Sequence, residues 1–218
     1  MDELLARLQE QAIQDDALLK KYAQQPEGIT AERIREIKAR FEVSAQLLTE
    51  LARTIENHIE EPEVVRALQL EVAIIQFHSG CLESARGDTQ TALSRLQDAL
   101  TRMASAGTKY PLLVFCYARM ADILSEQGKY QDSTQMYEKA LESIDDSNFD
   151  PIEKGILLNN LAVGVLQLQQ TDRAFSIFRK AIASVSLATD RKEEARIRNN
   201  FGIALSDANQ FKQALAQH

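Results

Sequence analysis

Apolar and polar residues alternate along most of this chain in steps of three and four, the spacing that lays apolar side chains on one face of an α-helix. Beyond residue 60 the same pattern recurs four times. It consists of a helix, a short turn often holding Gly, and a second helix with small and bulky residues at fixed offsets. The second helices align as Gly87-Asp88-Thr89 with Ala92, Leu96, Ala99 and Leu100, and Gly128-Lys129-Tyr130 with Ser133, Tyr137, Ala140 and Leu141. Gln169-Gln170-Thr171 follows with Ala174, Phe178, Ala181 and Ile182, then Asn209-Gln210-Phe211 with Ala214. The small residues 92, 133, 174 and 214 are spaced 41, 41 and 40 apart. A small residue lets two helices approach closely, so Ala92, Ala174 and Ala214 are predicted at helix crossings. One such hairpin cannot bury its own apolar face, so hairpins stack on their neighbours.

Helix-start signals keep the same register. Asp150-Pro151-Ile152-Glu153 predicts an N-cap, a proline in the first turn and a capping-box glutamate, and Asp190-Arg191-Lys192-Glu193 repeats it forty residues on. Pro62 and Pro111 stand where the first helices of earlier repeats should begin, and Gly107 fits the end of the helix before the second of them. Residues 1–60 lack the repeat. They read as helices over 2–24 and 30–59 joined by Gln25-Pro26-Glu27-Gly28, with Thr30 as N-cap. In the second, Ile34, Ile37, Phe41, Ser44, Leu48, Leu51 and Ile55 form a seam. This N-terminal hairpin either caps the repeats or pairs two chains into a homodimer. The expected organisation is therefore all-α: a helical hairpin over 1–60, then about four repeats over 61–218, the last incomplete. Because the sequence stops inside the second helix of the fourth repeat, we expect a piece of a longer protein.

The best-preserved copy runs Ala121-Asp122-Ile123-Leu124-Ser125-Glu126-Gln127-Gly128-Lys129-Tyr130 through Tyr137-Glu138-Lys139-Ala140-Leu141. It resembles the tetratricopeptide repeat, and the likeness extends over roughly residues 64–218. The family unit has about 34 residues, so each unit here is lengthened. Lengthened units resemble those of kinesin light chains and of the regulatory domains of some bacterial signalling proteins. Leu158-Asn159-Asn160-Leu161-Ala162 and Arg198-Asn199-Asn200-Phe201-Gly202 are similar to the former. The resemblance implies a right-handed superhelical solenoid whose first helices line a concave, ligand-binding face.

Composition removes other functions. The net charge of −7 and pI of about 5.1 oppose binding to nucleic acid, which needs clustered Lys and Arg, and to anionic membrane surfaces. Residues 1–60 hold 12 acidic and 8 basic side chains, so no segment there is a basic tail. No apolar run approaches the ~18 residues that span a bilayer, and the start MDELLARLQEQ is unlike a signal peptide. A cytoplasmic protein is expected. Cys81 and Cys116 are far apart and read as reduced thiols on helices. His58, His78 and His218 have no ligand partner at metal spacing. Phosphate-loop, dinucleotide, zincin and nucleophile-elbow motifs are absent, so neither an enzyme nor a bound cofactor is expected.

What the resemblance implies for function is a groove that holds a peptide or partner domain. Family groove positions lie nine and ten, and also six and thirteen, residues before the turn residue. Nine before gives His78, Arg119, Asn160 and Asn200; ten before gives Phe77, Ala118, Asn159 and Asn199. Six before gives Cys81, Asp122, Val163 and Ile203; thirteen before gives Ile74, Phe115, Ile156 and Arg196. The candidate binding residues are Asn160, Asn200, Arg119, Arg196, Asn159 and Asn199. An Asn amide both donates and accepts, matching a peptide backbone, although the same amides can instead bond neighbouring helices. Arg119 would favour an acidic or phosphorylated segment, and Asp122 opposes this. Some relatives bind a C-terminal carboxylate through Lys, Asn and Arg. Asn160, Arg196 and Asn200 supply part of that set, but Ala118 and Asp122 stand where its first member belongs. The second functional reading is a sensory or regulatory domain of a larger signalling protein, such as a transcription activator or a cyclic-nucleotide enzyme.

Overall fold

The computed structural model describes residues 62–106, 111–144, 149–188 and 191–210, with scattered helical residues between Glu32 and Glu50 and the short stretch around Gln213 and Ala214. The N-terminal hairpin seam, its joint at 25–28, the boundary at residue 60, Gly107 and Asp190 lie outside the described residues. Seven helices and no strand occur among the described residues: α1 (Pro62–Ala85), α2 (Thr89–Ala106), α3 (Pro111–Glu126), α4 (Tyr130–Glu142), α5 (Pro151–Gln167), α6 (Thr171–Leu187) and α7 (Arg191–Asp207). The chain forms two compact units, Met1–Thr108 and Lys109–His218.

In the first unit α1 and α2 pack as a hairpin. Its core is Val72, Ala73, Ala92, Leu96, Ala99, Leu100, Met103 and Ala106, all buried. The helices touch at Gly80: a Cβ there would stand 2.9 Å from Leu96 Cγ and 3.2 Å from the Ala92 carbonyl oxygen. Arg95 and Arg102 brace the hairpin by donating to Gln76 (3.2 Å) and Gln69 (3.0 Å).

In the second unit α3 packs on α4, α4 on α5, α5 on α6 and α6 on α7, and α5 also meets α7 directly. Helices α3, α5 and α7 are the first helices of successive repeats; α4 and α6 are second helices. The small–large–small rule of the second helices is met throughout. Ser133, Tyr137 and Ala140 of α4 and Ala174, Phe178 and Ala181 of α6 are all buried, as is Ala214 at 7% exposure. Serine at the crossing of α4 adds a bond of its own, since Ser133 Oγ donates to the Ala121 carbonyl at 2.8 Å. Asp150 caps α5 by accepting from Ile152 N–H at 2.9 Å, with Pro151 beginning the helix. Pro62 and Pro111 likewise open α1 and α3.

The turn inside each repeat uses one backbone solution four times. Gly87 (φ +83°), Gly128 (φ +73°), Gln169 (φ +59°) and Asn209 (φ +59°) all take the left-handed conformation. They are the four residues that the alignment places at the turn, so the register holds even where glycine has been replaced. In this conformation the side chain of an L-residue crowds its own backbone, at a cost of roughly 1–2 kcal/mol. Gly restores ease there but loses more entropy on folding, roughly 0.5–1 kcal/mol. Gln169→Gly should therefore raise stability slightly, by up to about 1 kcal/mol. Urea unfolding measures this, and a clear loss of stability would show that the Gln169 side chain supports the turn.

Candidate functional site

Helices α3, α4, α5 and α7 of the second unit enclose a cleft of about 320 Å³. Its walls are Arg119, Asp122, Ser125 and Glu126 from α3, Tyr137 from α4, Asn159, Asn160 and Val163 from α5, and Arg196 and Asn200 from α7. Five of the six residues expected from the sequence meet here: Arg119, Asn159, Asn160, Arg196 and Asn200. Asn199 does not line the cleft and is exposed.

Polar side chains cross the cleft in one row. Asn200 Nδ2 donates to Asn159 Oδ1 at 3.0 Å, joining α7 to α5. Asn159 Nδ2 donates in turn to Asn160 Oδ1 at 3.0 Å. Asn160 shares the cleft wall with Tyr137, and the Tyr137 hydroxyl donates to Asp122. Arg119 Nη1 closes the row, 3.6 Å from Asp122 Oδ2. Burial, and then the neighbouring Asp122 carboxylate, push the Tyr137 phenol far above its ordinary pKa. It therefore remains a proton donor at any physiological pH.

The members of the row differ in role. Asn159 is 2% exposed, and both ends of its amide are taken by Asn160 and Asn200. It holds those two in place and offers little to a ligand. Asn160 and Asn200 are only half-buried, so each keeps amide surface toward the cleft. The two guanidiniums already have partners: Arg119 has Asp122, and Arg196 Nε donates to Glu193 Oε2 at 2.7 Å. The positive charge of Arg119 is thus partly offset by Asp122 at the surface.

Three lining residues escaped the search for polar groove positions in the sequence. Tyr137 stood only as the bulky core residue of its repeat, equivalent to Leu96 and Phe178. Its hydroxyl, the one feature those residues lack, was the available signal. Ser125 and Glu126 lie at the end of α3, at offsets the family positions do not include. Elsewhere, Cys81 is half-buried and Cys116 buried, and neither forms a disulfide. Among the described residues no three His, Cys, Asp or Glu side chains gather as metal ligands. No described helix is long and apolar enough to cross a membrane.

Comparison with known proteins bears on the fold. No curated protein matches the sequence significantly. Among solved structures, BtubC (BKLC) from P. vanneervenii superposes with a TM-score of 0.61 at 17% identity, covering 98% of this chain and 87% of that one. A kinesin light chain of Podosopora anserina with nearly identical TPR-like repeats gives 0.57 at 14% identity, covering 85% and 88%. The TPR protein YrrB gives 0.51 at 21% identity, covering 79% and 72%. Residues 71–145 match the family model of the tetratricopeptide repeat. With further helices of the same register after that stretch, and kinesin-light-chain-like repeats among its structural neighbours, the chain has the fold of a tetratricopeptide-repeat solenoid.

Proposed function

We propose that the cleft of the second unit holds an extended segment of a partner protein, and that Asn160 and Asn200 grip its backbone. The fold itself is an interaction scaffold. The observation that carries the finer reading is the placement of two half-buried amides at one register position on α5 and α7, tied together by a buried third. Adjacent packed helices lie ~8–10 Å apart, and an extended chain advances ~3.3 Å per residue. Two such amides therefore meet backbone groups two or three residues apart. YrrB, similar in fold, is described as having an unusual peptide-binding site, which supports a peptide as the kind of ligand. A non-catalytic role in the cytoplasm goes with this proposal, and pairing of two chains through residues 1–60 remains compatible with it.

The test begins with a library of randomised twelve-residue peptides panned against the full chain. Binding of the selected peptides is then measured by calorimetry for the parent and for Asn160→Ala. Removing an amide that bonds the peptide costs ~0.5–1.5 kcal/mol per hydrogen bond. The expected loss of affinity is thus about three- to tenfold. Unchanged affinity combined with a melting temperature lowered by several degrees would assign Asn160 to the fold alone.

A further inference from the structure

We infer that the segment taken by this cleft is cationic where it crosses α3 and aliphatic where it crosses α5 and α7: a Lys or Arg followed at short intervals by one or two apolar side chains. The inference rests on the peptide-binding reading of the same cleft and adds the chemistry of the ligand.

Charge sets the first half. The cleft and the carboxylate paired to it hold two cations, Arg119 and Arg196, against three anions, Asp122, Glu126 and Glu193. Both guanidiniums are engaged, at 3.6 Å by Asp122 and at 2.7 Å by Glu193. An anionic ligand would meet guanidiniums whose charge these carboxylates already offset. Glu126, in contrast, is exposed and forms no ion pair among the described residues. It is the last residue of α3, where the helix dipole adds negative potential. Ser125 and Asp122 flank it on the same wall. This corner suits an ammonium or guanidinium group.

Hydropathy sets the second half. One turn beyond Arg119, Asn160 and Asn200, the three first helices present Asp122, Val163 and Ile203. Val163 lines the cleft and is 37% exposed; Ile203 is 53% exposed. The other described large aliphatic side chains of this unit are buried or half-buried, so these two exposed ones at one register position continue the row. Along the path from α3 to α7 the wall changes from carboxylate to aliphatic. An extended segment crosses from one first helix to the next about every two to three residues, which fixes the interval between its cationic and apolar side chains.

The peptides selected above test this by their sequences and by a charge reversal at Glu126, a residue outside the hydrogen-bonded row. Peptides whose binding depends on Asn160 should be enriched in Lys or Arg two or three residues from an aliphatic residue. Glu126→Lys, with an unchanged circular dichroism spectrum and melting temperature, should weaken them about three- to fivefold. Replacing the peptide's Lys by Glu should weaken binding to the parent and restore it to the variant. If the Asn160-dependent peptides are acidic or indifferent in charge, or if Glu126→Lys leaves their affinity unchanged, the inference fails while the peptide-binding reading stands. If no selected peptide responds to Asn160→Ala, both fall.

Discussion

Phe178→Ala should lower the stability of the second unit by about 3–5 kcal/mol, the cost of emptying a buried aromatic site. Phe178 is fully buried and heads the large core side chains. Its ring stacks on Phe201 of the next first helix with centroids 5.3 Å apart and 20° between planes. Phe175 meets the same Phe201 edge-on at 5.5 Å. Arg179 lies over that ring at 5.8 Å. The loss is therefore felt in the α6–α7 contact as well as within the α5–α6 hairpin. Ala174 and Ala181 flank the site and are too small to collapse into the void. Urea unfolding of the full chain should show the drop in midpoint. A change below about 1 kcal/mol would mean that the second-helix pattern does not mark the core as argued.

The register was legible because it is written redundantly. Ala92, Ser133, Ala174 and Ala214 declare it by size, and residues 87, 128, 169 and 209 by turn geometry. The second signal proves stronger than the glycines alone suggested, since Gln169 and Asn209 adopt the same positive φ. The site followed from the register: counting back from the turn brought Arg119, Asn160, Asn200, Asp122, Val163 and Arg196 to one cleft. What the count could not supply was partnership. Position gives the helix face but not the reach of a side chain: the sequence set Asp122 against Arg119, and the structure adds that the two stand 3.6 Å apart. Likewise Asn159 and Asn199 occupy the same register position. Asn159 is buried between α5 and α7, whereas Asn199 stays exposed, because burial depends on what covers a face and not on the face itself.

Asn159→Ala should lower both stability and affinity, which separates it from its neighbours in the row. Asn159 is 2% exposed and bonds Asn160 and Asn200 at 3.0 Å each. Its truncation strips one partner from each amide and leaves a small polar void between α5 and α7. Breaking buried hydrogen bonds while stranding a partner costs about 1–3 kcal/mol. Asn160 and Asn200 would then turn freely, so each must be ordered again when a peptide binds, at a cost in affinity. Asn160→Ala removes the proposed ligand contact from a half-buried position, where water can replace the lost bond, and its cost should fall mainly on binding. The two changes act on one network, so their combined effect on affinity should fall short of the sum by at least about 0.5 kcal/mol. Urea unfolding and calorimetry on both single variants and the double variant measure all of these quantities. If Asn159→Ala unfolds within about 0.5 kcal/mol of the parent, or if the two affinity losses simply add, then the buried amide is not what positions the pair, and the grip assigned to Asn160 and Asn200 loses its structural basis.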